Sequence, residues 1–221
     1  MTEDQLTAST EDYLKVIWSS KEWTDTPLTT NELAARMGFA PSTVSEAVKK
    51  LTDRGLVTHR PYGTIDLTDT GTAAAIQMVR RHRLVETFLV DYLEYKWHEV
   101  HTEAEILEHA VSDVFIDRLA AKLGHPSRDP HGDPIPDHTG RVRHPPAIRL
   151  NHAPLNQPLE VVRVSDTSPE LLKYLHACRI ELDTSVSVLD RNVAAGVITI
   201  EVHGQTSDLS IVAADAVWVT N

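Results

Sequence analysis

A single cysteine, Cys178, is all that 221 residues provide. No disulfide can form within one chain, and no zinc site of the paired-cysteine type can be built, which suits a reducing compartment. No apolar run approaches the about 18 residues that a membrane-spanning helix needs. Met1 to Thr10 has neither a basic start nor an apolar stretch, so no secretory signal is read there and a cytoplasmic location is expected. Positive charge is scarce too: 21 Lys and Arg against 32 Asp and Glu leave a net −11. The His-Glu-x-x-His motif of metalloproteases is absent, and nothing looks like a serine or cysteine nucleophile site.

What is present is an ordinary globular composition, 41% hydrophobic and 24% charged. The acidic total argues against nucleic acid until its distribution is read. From Pro41 to Arg83, seven basic residues (Lys49, Lys50, Arg54, Arg60, Arg80, Arg81, Arg83) face four acidic ones (Glu46, Asp53, Asp66, Asp69). That segment carries +3 and the rest −14, which suits a protein that touches DNA with one end.

Leu14, Ile17 and Trp18 at helical spacing, after Ser9-Thr10-Glu11-Asp12, predict a capped helix that Thr24 to Pro27 ends. A second helix is expected over Asn31–Met37, closed by Gly38, and a third from Pro41 to about Asp53. Two alternating strands, Leu56–Arg60 and Thr64–Leu67, flank a Pro61-Tyr62-Gly63 turn. Long helices are expected over Asp69–Tyr92 and Thr102–Leu123. Six prolines between His125 and Pro146 then read as a connector. Beyond it, strands over Leu159–Val164, Ser185–Leu189, Val197–Val202, Leu209–Val212 and Ala216–Thr220, with one helix at Pro169–Ala177, predict a small β-barrel.

Helix, glycine turn, helix and a two-stranded wing is the order of a winged helix-turn-helix. Ala34 and Ala35 let two helices cross closely. Pro41, Ser42, Thr43, Ser45 and Glu46 occupy the first turns of the next helix, where side chains reach base edges. Lys49, Lys50 and Arg60 are placed to meet phosphates. The bland alternative is a winged helix used for protein contacts alone.

The second constellation is His101, Glu105, Glu108 and His109, whose spacing puts four side chains within roughly a 100° arc of one helix. His82 and Glu86 stand one turn apart on the preceding helix. If the two helices pack antiparallel, imidazoles and carboxylates share a seam, the donor chemistry of a transition-metal site. A solvated acidic face with incidental histidines is the competing reading.

The whole chain resembles the diphtheria-toxin-repressor family of metal-dependent regulators. The resemblance rests on Ser9 to Leu14, Pro41 to Ser45, Leu67 to Gly71, Arg81 to Glu86, Glu105 to Asp113 and Ser127 to Pro136. It implies a mainly α protein with a small β part. A winged helix-turn-helix spans 1–73, a helical dimerisation and metal module 74–140, and an SH3-like barrel 148–221. It also implies two metal sites per subunit: Asp12, Glu105, Glu108 and His109 at the primary site, His82, Glu86 and His101 at the ancillary one. Asp166 and Glu170 lie where the barrel of longer members adds ligands. The iron-responsive branch carries a thioether and a thiol where this chain has Asp12 and Glu105, so hard oxygen donors point to Mn²⁺, with Fe²⁺ as the alternative. The short manganese sensors have a further carboxylate where Lys15 stands, and Cys178 matches no ligand position. The expected partners are an operator in double-stranded DNA and a second copy of the chain, with no membrane and no small-molecule substrate. A metal-dependent hydrolase and a winged-helix regulator of an organic ligand remain as other classes.

Overall fold

The structure is a computed structural model and describes residues 6–24, 26–60 and 63–220. The chain divides into two units: residues 1–82 with 136–141, and residues 83–135 with 142–221.

In the first unit, α1 (Ala8–Glu22) begins at Thr7, whose side chain accepts from the Thr10 amide, two residues before the expected start. Helix α2 (Thr30–Met37) opens on a complete capping box. Glu32 N–H donates to the Thr29 hydroxyl, and Thr29 N–H donates to the Glu32 carboxylate. Helix α3 (Pro41–Asp53) has Pro41 in its first turn and buries Val44, Val48 and Leu51, one stripe at offsets of four and three. Strands β1 (Val57–His59) and β2 (Ile65–Leu67) pair antiparallel, Val57 opposite Leu67. The Pro61–Tyr62 part of the expected turn lies outside the described residues. Gly71, in the first turn of α4 (Asp69–Leu93), sits so close to the wing that a Cβ would lie 1.9 Å from the Leu56 carbonyl oxygen. Thirteen buried side chains from Tyr13 to Ala75 form one core under these elements. Burying each large aliphatic one contributes about 1.5–3 kcal/mol.

In the second unit, the helix expected over 102–123 is two: α5 (Val100–Leu107) and α6 (Asp113–Lys122). The cause is Ser112, whose side chain accepts from the Phe115 amide and starts a new helix. With the end of α4 these helices enclose a core of Leu84, Val85, Leu89, Val100, Ala104, Ile116 and Leu119. Their outer surface leaves Tyr92, Leu93, Ile106, Val114 and Phe115 exposed.

The C-terminal part is a six-stranded antiparallel sheet around its own core. Its strands are β3 (Ala147–Arg149), β4 (Pro158–Val164), β5 (Ser185–Asn192), β6 (Val197–Val202), β7 (Gln205–Ser210) and β8 (Val217–Thr220). They are ordered β3-β8-β4-β5-β6-β7. Helix α7 (Pro169–Ala177) lies where its pattern placed it. The strand expected at Leu209–Val212 is instead the end of β7 followed by a four-residue helix, α8 (Ile211–Ala214), because the Ser210 side chain caps the Ala213 amide. Strand β3 begins directly after the stretch read as connector, and within that stretch lies an ordered, buried run from Asp129 to Ile135. Among the described residues no helix is long and apolar enough to cross a membrane.

Candidate metal centre and nucleic-acid interface

Helix α3 turns its apolar stripe inward, which leaves Pro41, Ser42, Thr43, Ser45, Glu46, Lys49 and Lys50 exposed; Arg60, after the wing's first strand, is exposed as well. Lys50 Nζ pairs with Glu46 Oε1 at 2.8 Å, one turn apart, and this contact holds the Glu46 carboxyl below and the Lys50 ammonium above their ordinary ranges. The wing is braced from behind: Lys21, in the last turn of α1, pairs with Asp66 of β2. An exposed row of small hydroxyls and cations on a helix held by a packed core can enter a major groove.

The second unit gathers the acidic and imidazole groups. Glu86 on α4 and His131 in the Asp129–Ile135 run are fully buried, with His131 Nδ1 3.8 Å from Glu86 Oε2. Asp166, just after β4, joins them. Glu86, His131 and Asp166 each offer a ligand atom, all within 4.8 Å of one another. His101 on α5 borders the group, its Nδ1 3.4 Å from Glu86 Oε1 and 3.9 Å from Asp166 Oδ2. Ligands on opposite sides of one transition-metal ion stand about 4.4 Å apart, so nitrogen and oxygen donors without sulfur fit a divalent cation of intermediate hardness.

His131 is the residue that sequence reading passed over. Its ring nitrogen Nε2 lies 2.6 Å from the Trp97 carbonyl oxygen, a bond that makes Nε2 the protonated nitrogen and leaves Nδ1 toward Glu86. Burial opposes the imidazolium, but Glu86, Asp129 and Asp166 outweigh it and raise the His131 pKa to about 10. The loop is clamped from both ends. Asp129 Oδ1 accepts from the amides of His131 and Asp133 at 2.8 and 3.0 Å. Asp133 accepts from Arg163 Nε at 2.6 Å, and Arg83 donates to the Pro134 carbonyl at 2.7 Å. Burial first, and Asp133 second, push the Asp129 carboxyl up to about 7. Gly132 has φ +92°, and a Cβ there would stand 2.1 Å from the Val162 carbonyl oxygen. The readable signal was Asp129-Pro130-His131-Gly132-Asp133-Pro134, with polar groups at alternate positions between prolines.

The other expected ligands fall as follows. Helix α5 ends at Leu107, yet Glu108 keeps helical angles and its N–H reaches the Ala104 carbonyl, so it stays in line with Glu105. Glu108 is fully buried, and its Oε1 stands 3.5 Å from His109 Nε2 in the turn that follows. Glu105 is exposed, 3.6 Å from His101 Nε2. Glu170 is exposed on the first turn of α7, bonded to the Ser168 hydroxyl, and belongs to none of these groups. Asp12 is half-buried on the second turn of α1 in the first unit, and His82 is buried on α4 one turn before Glu86. Cys178 caps the C-terminus of α7.

Known proteins resemble this chain over its whole length. Residues 5–65 match the N-terminal DNA-binding domain of iron-dependent repressors, 68–137 their metal-binding and dimerisation domain, and 148–221 the FeoA domain. The iron-dependent repressor IdeR of Mycobacterium tuberculosis is 36% identical over 166 residues, 72% of each protein. The diphtheria toxin repressor of Corynebacterium diphtheriae is 30% identical over 214 residues, 92% of this chain and 93% of that one. Among solved structures, a manganese-dependent transcriptional repressor in complex with manganese is 49% identical, with a TM-score of 0.92 over 96% of this chain and 99% of its own. The manganese regulator SloR is 34% identical, with a TM-score of 0.83 over 98% and 100%.

Proposed function

This chain belongs to the iron-dependent, diphtheria-toxin-repressor family of metal-dependent transcriptional repressors, and from that premise we propose that it is a manganese-activated repressor of metal-uptake genes. The donor set carries the reading. Asp12 and Glu105 are carboxylates where the iron branch has sulfur, and every other candidate ligand is a carboxylate or an imidazole. Hard oxygen donors suit Mn²⁺, and the relatives of known structure named above are a manganese-dependent transcriptional repressor and a manganese regulator. Fe²⁺ is the second reading, favoured by the iron-dependent names of the curated relatives.

We assign two metal sites to each subunit. Asp12, Glu105, Glu108 and His109 make the regulatory one. The ancillary one takes His82, Glu86 and His101, with His131 and Asp166 added from the group described above. A bound cation supplies positive charge among carboxylates that otherwise repel one another. The groups have a regulatory role and no catalytic one. Helix α3 and Arg60 read an operator in double-stranded DNA, and the exposed strip of Ile106, Val114 and Phe115 is the face that a second copy covers in a cytoplasmic homodimer.

The test is operator binding by the full-length protein at buffered free Mn²⁺, Fe²⁺, Co²⁺ and Zn²⁺. Mn²⁺ is expected to activate binding at the lowest relevant free concentration. Equal affinity with and without every metal would overturn the metal-dependent reading, and activation by Fe²⁺ with indifference to Mn²⁺ would replace manganese by iron.

A further inference from the structure

The start of helix α3 departs from a pattern that four other helices follow. Helices α1, α2, α6 and α7 each open on a threonine or serine hydroxyl that accepts a backbone N–H. Helix α3 opens on Ala40, which has no side-chain group to do so. Ser, Thr, Asn or Asp at that position would each hold the first turn better. The residue before it is Phe39, 50% exposed although its ring has much to gain from burial. The residue after it is Pro41, and every residue from Gly38 to Thr43 is exposed. Three apolar side chains thus stand in a row at the leading edge of the helix that a winged helix-turn-helix offers to a major groove.

The backbone that carries the ring is fixed. Gly38 takes φ +68°, and the N–H groups of Gly38 and Phe39 both donate to the Ala34 carbonyl, which ties Phe39 to the end of α2. Packing within its own module accounts for the covered half of the residue. The exposed half, beside a helix start that forgoes its cap, calls for a partner that rewards an apolar surface.

The major groove has one such group. Base edges there are lined with hydrogen-bond donors and acceptors, and the 5-methyl group of thymine is the apolar exception. Phosphates are charged and reward cations such as Lys49 and Lys50 instead. We infer that Phe39 reads the 5-methyl group of a pyrimidine at the base pair facing the start of α3, so that preference at this position follows a methyl group and not a hydrogen-bond pattern. 5-Methylcytosine carries the same group in the same place, so the protein also separates methylated from unmethylated cytosine there. The inference rests on α3 being the DNA-reading helix and adds a residue outside the set given that role above. Covering one methyl group is equivalent to about fourfold in affinity.

The experiment uses the full-length protein with saturating Mn²⁺ and a duplex that it selects from a random library. Thymines are replaced one at a time by deoxyuridine, which removes the methyl group and keeps the base pairing. At one thymine or more the wild type should lose about fourfold in affinity. With cytosine at that position, its 5-methylation should gain a similar factor. In Phe39→Ala both factors should fall below about 1.5-fold at that position, with the salt slope unchanged, whereas Phe39→Leu should keep most of each. Each factor is a ratio taken within one variant, so a partly unfolded variant scales both affinities alike and the ratio stands. The inference fails if no thymine shows the uracil penalty, if every penalty survives in Phe39→Ala, or if Phe39→Ala weakens all duplexes equally with the penalties intact, the mark of a backbone contact. A wild type that selects no duplex with or without Mn²⁺ would overturn the proposed function and this inference together, whereas Mn²⁺-activated binding indifferent to the methyl group would overturn the inference alone.

Discussion

At the scale of single residues, the buried loop around His131 is the place where side-chain identity is most constrained. Gly132 has a positive φ and no room for a methyl group. Gly132→Ala should cost about 1–3 kcal/mol, read as a lower urea midpoint with an unchanged slope. An unchanged midpoint would mean that the loop relaxes away from β4 without strain. Asp137 makes a prediction in pH. Hydrogen bonds from the Thr139 side chain and the Arg141 and Thr139 amides hold its carboxyl down at about 2. Because that value lies below the unfolded one, its contribution is complete above about pH 4 and is lost as pH falls toward 2. The Thr139 and Arg141 amides should therefore exchange faster as pH drops through this window, after correction for intrinsic rates, and Asp137→Asn should remove the dependence. The sequence showed His82, Glu86, His101, Glu105, Glu108 and His109 as candidates because helical spacing makes coincidence of side chains readable, and Asp12 only through the family resemblance. It did not show His131, because a loop has no period, and its burial depends on Arg83 and Arg163 reaching in from residues far along the chain.

Elements were legible where capping and burial agree. The bounds of α3 and α7 came straight from Pro41 and Pro169 with their apolar stripes, and the wing strands from alternation. The single helix expected over 102–123 broke because apolar periodicity runs through both halves, while one hydroxyl, Ser112, offers the amides a competing cap. Ser112→Ala should cost about 1 kcal/mol and lower the melting temperature by a few degrees. A melting temperature that does not move would show that the break is imposed by packing instead. On α3, Glu46 pairs with Lys50. Glu46→Ala frees that cation and, in the proposed complex with DNA, removes a negative charge near the phosphates. Its affinity for unrelated DNA should rise, and the dependence on salt should steepen by up to about one unit in log–log slope. An unaltered slope would put Lys50 away from the backbone.

For the whole molecule, the proposed homodimer covers the exposed apolar residues of α5 and α6. Phe115 is 45% exposed and Val114 63%, in a segment that matches a dimerisation domain. Phe115→Glu places a charge among those residues. It should raise the dimer dissociation constant by about 30-fold or more, measured by sedimentation, and weaken operator binding in step. A variant that remains dimeric at the same concentration would move the interface elsewhere. The contact of His131 with Trp97 has an optical consequence. The indole ring of Trp97 lies 6.1 Å from the imidazole, nearly parallel to it, and its carbonyl holds the other side of the same ring. Indole emission is quenched by an adjacent cationic imidazole. Trp97 therefore carries a built-in fluorescent report on whatever His131 binds, and subtracting the spectrum of Trp97→Phe separates it from Trp18, Trp23 and Trp218.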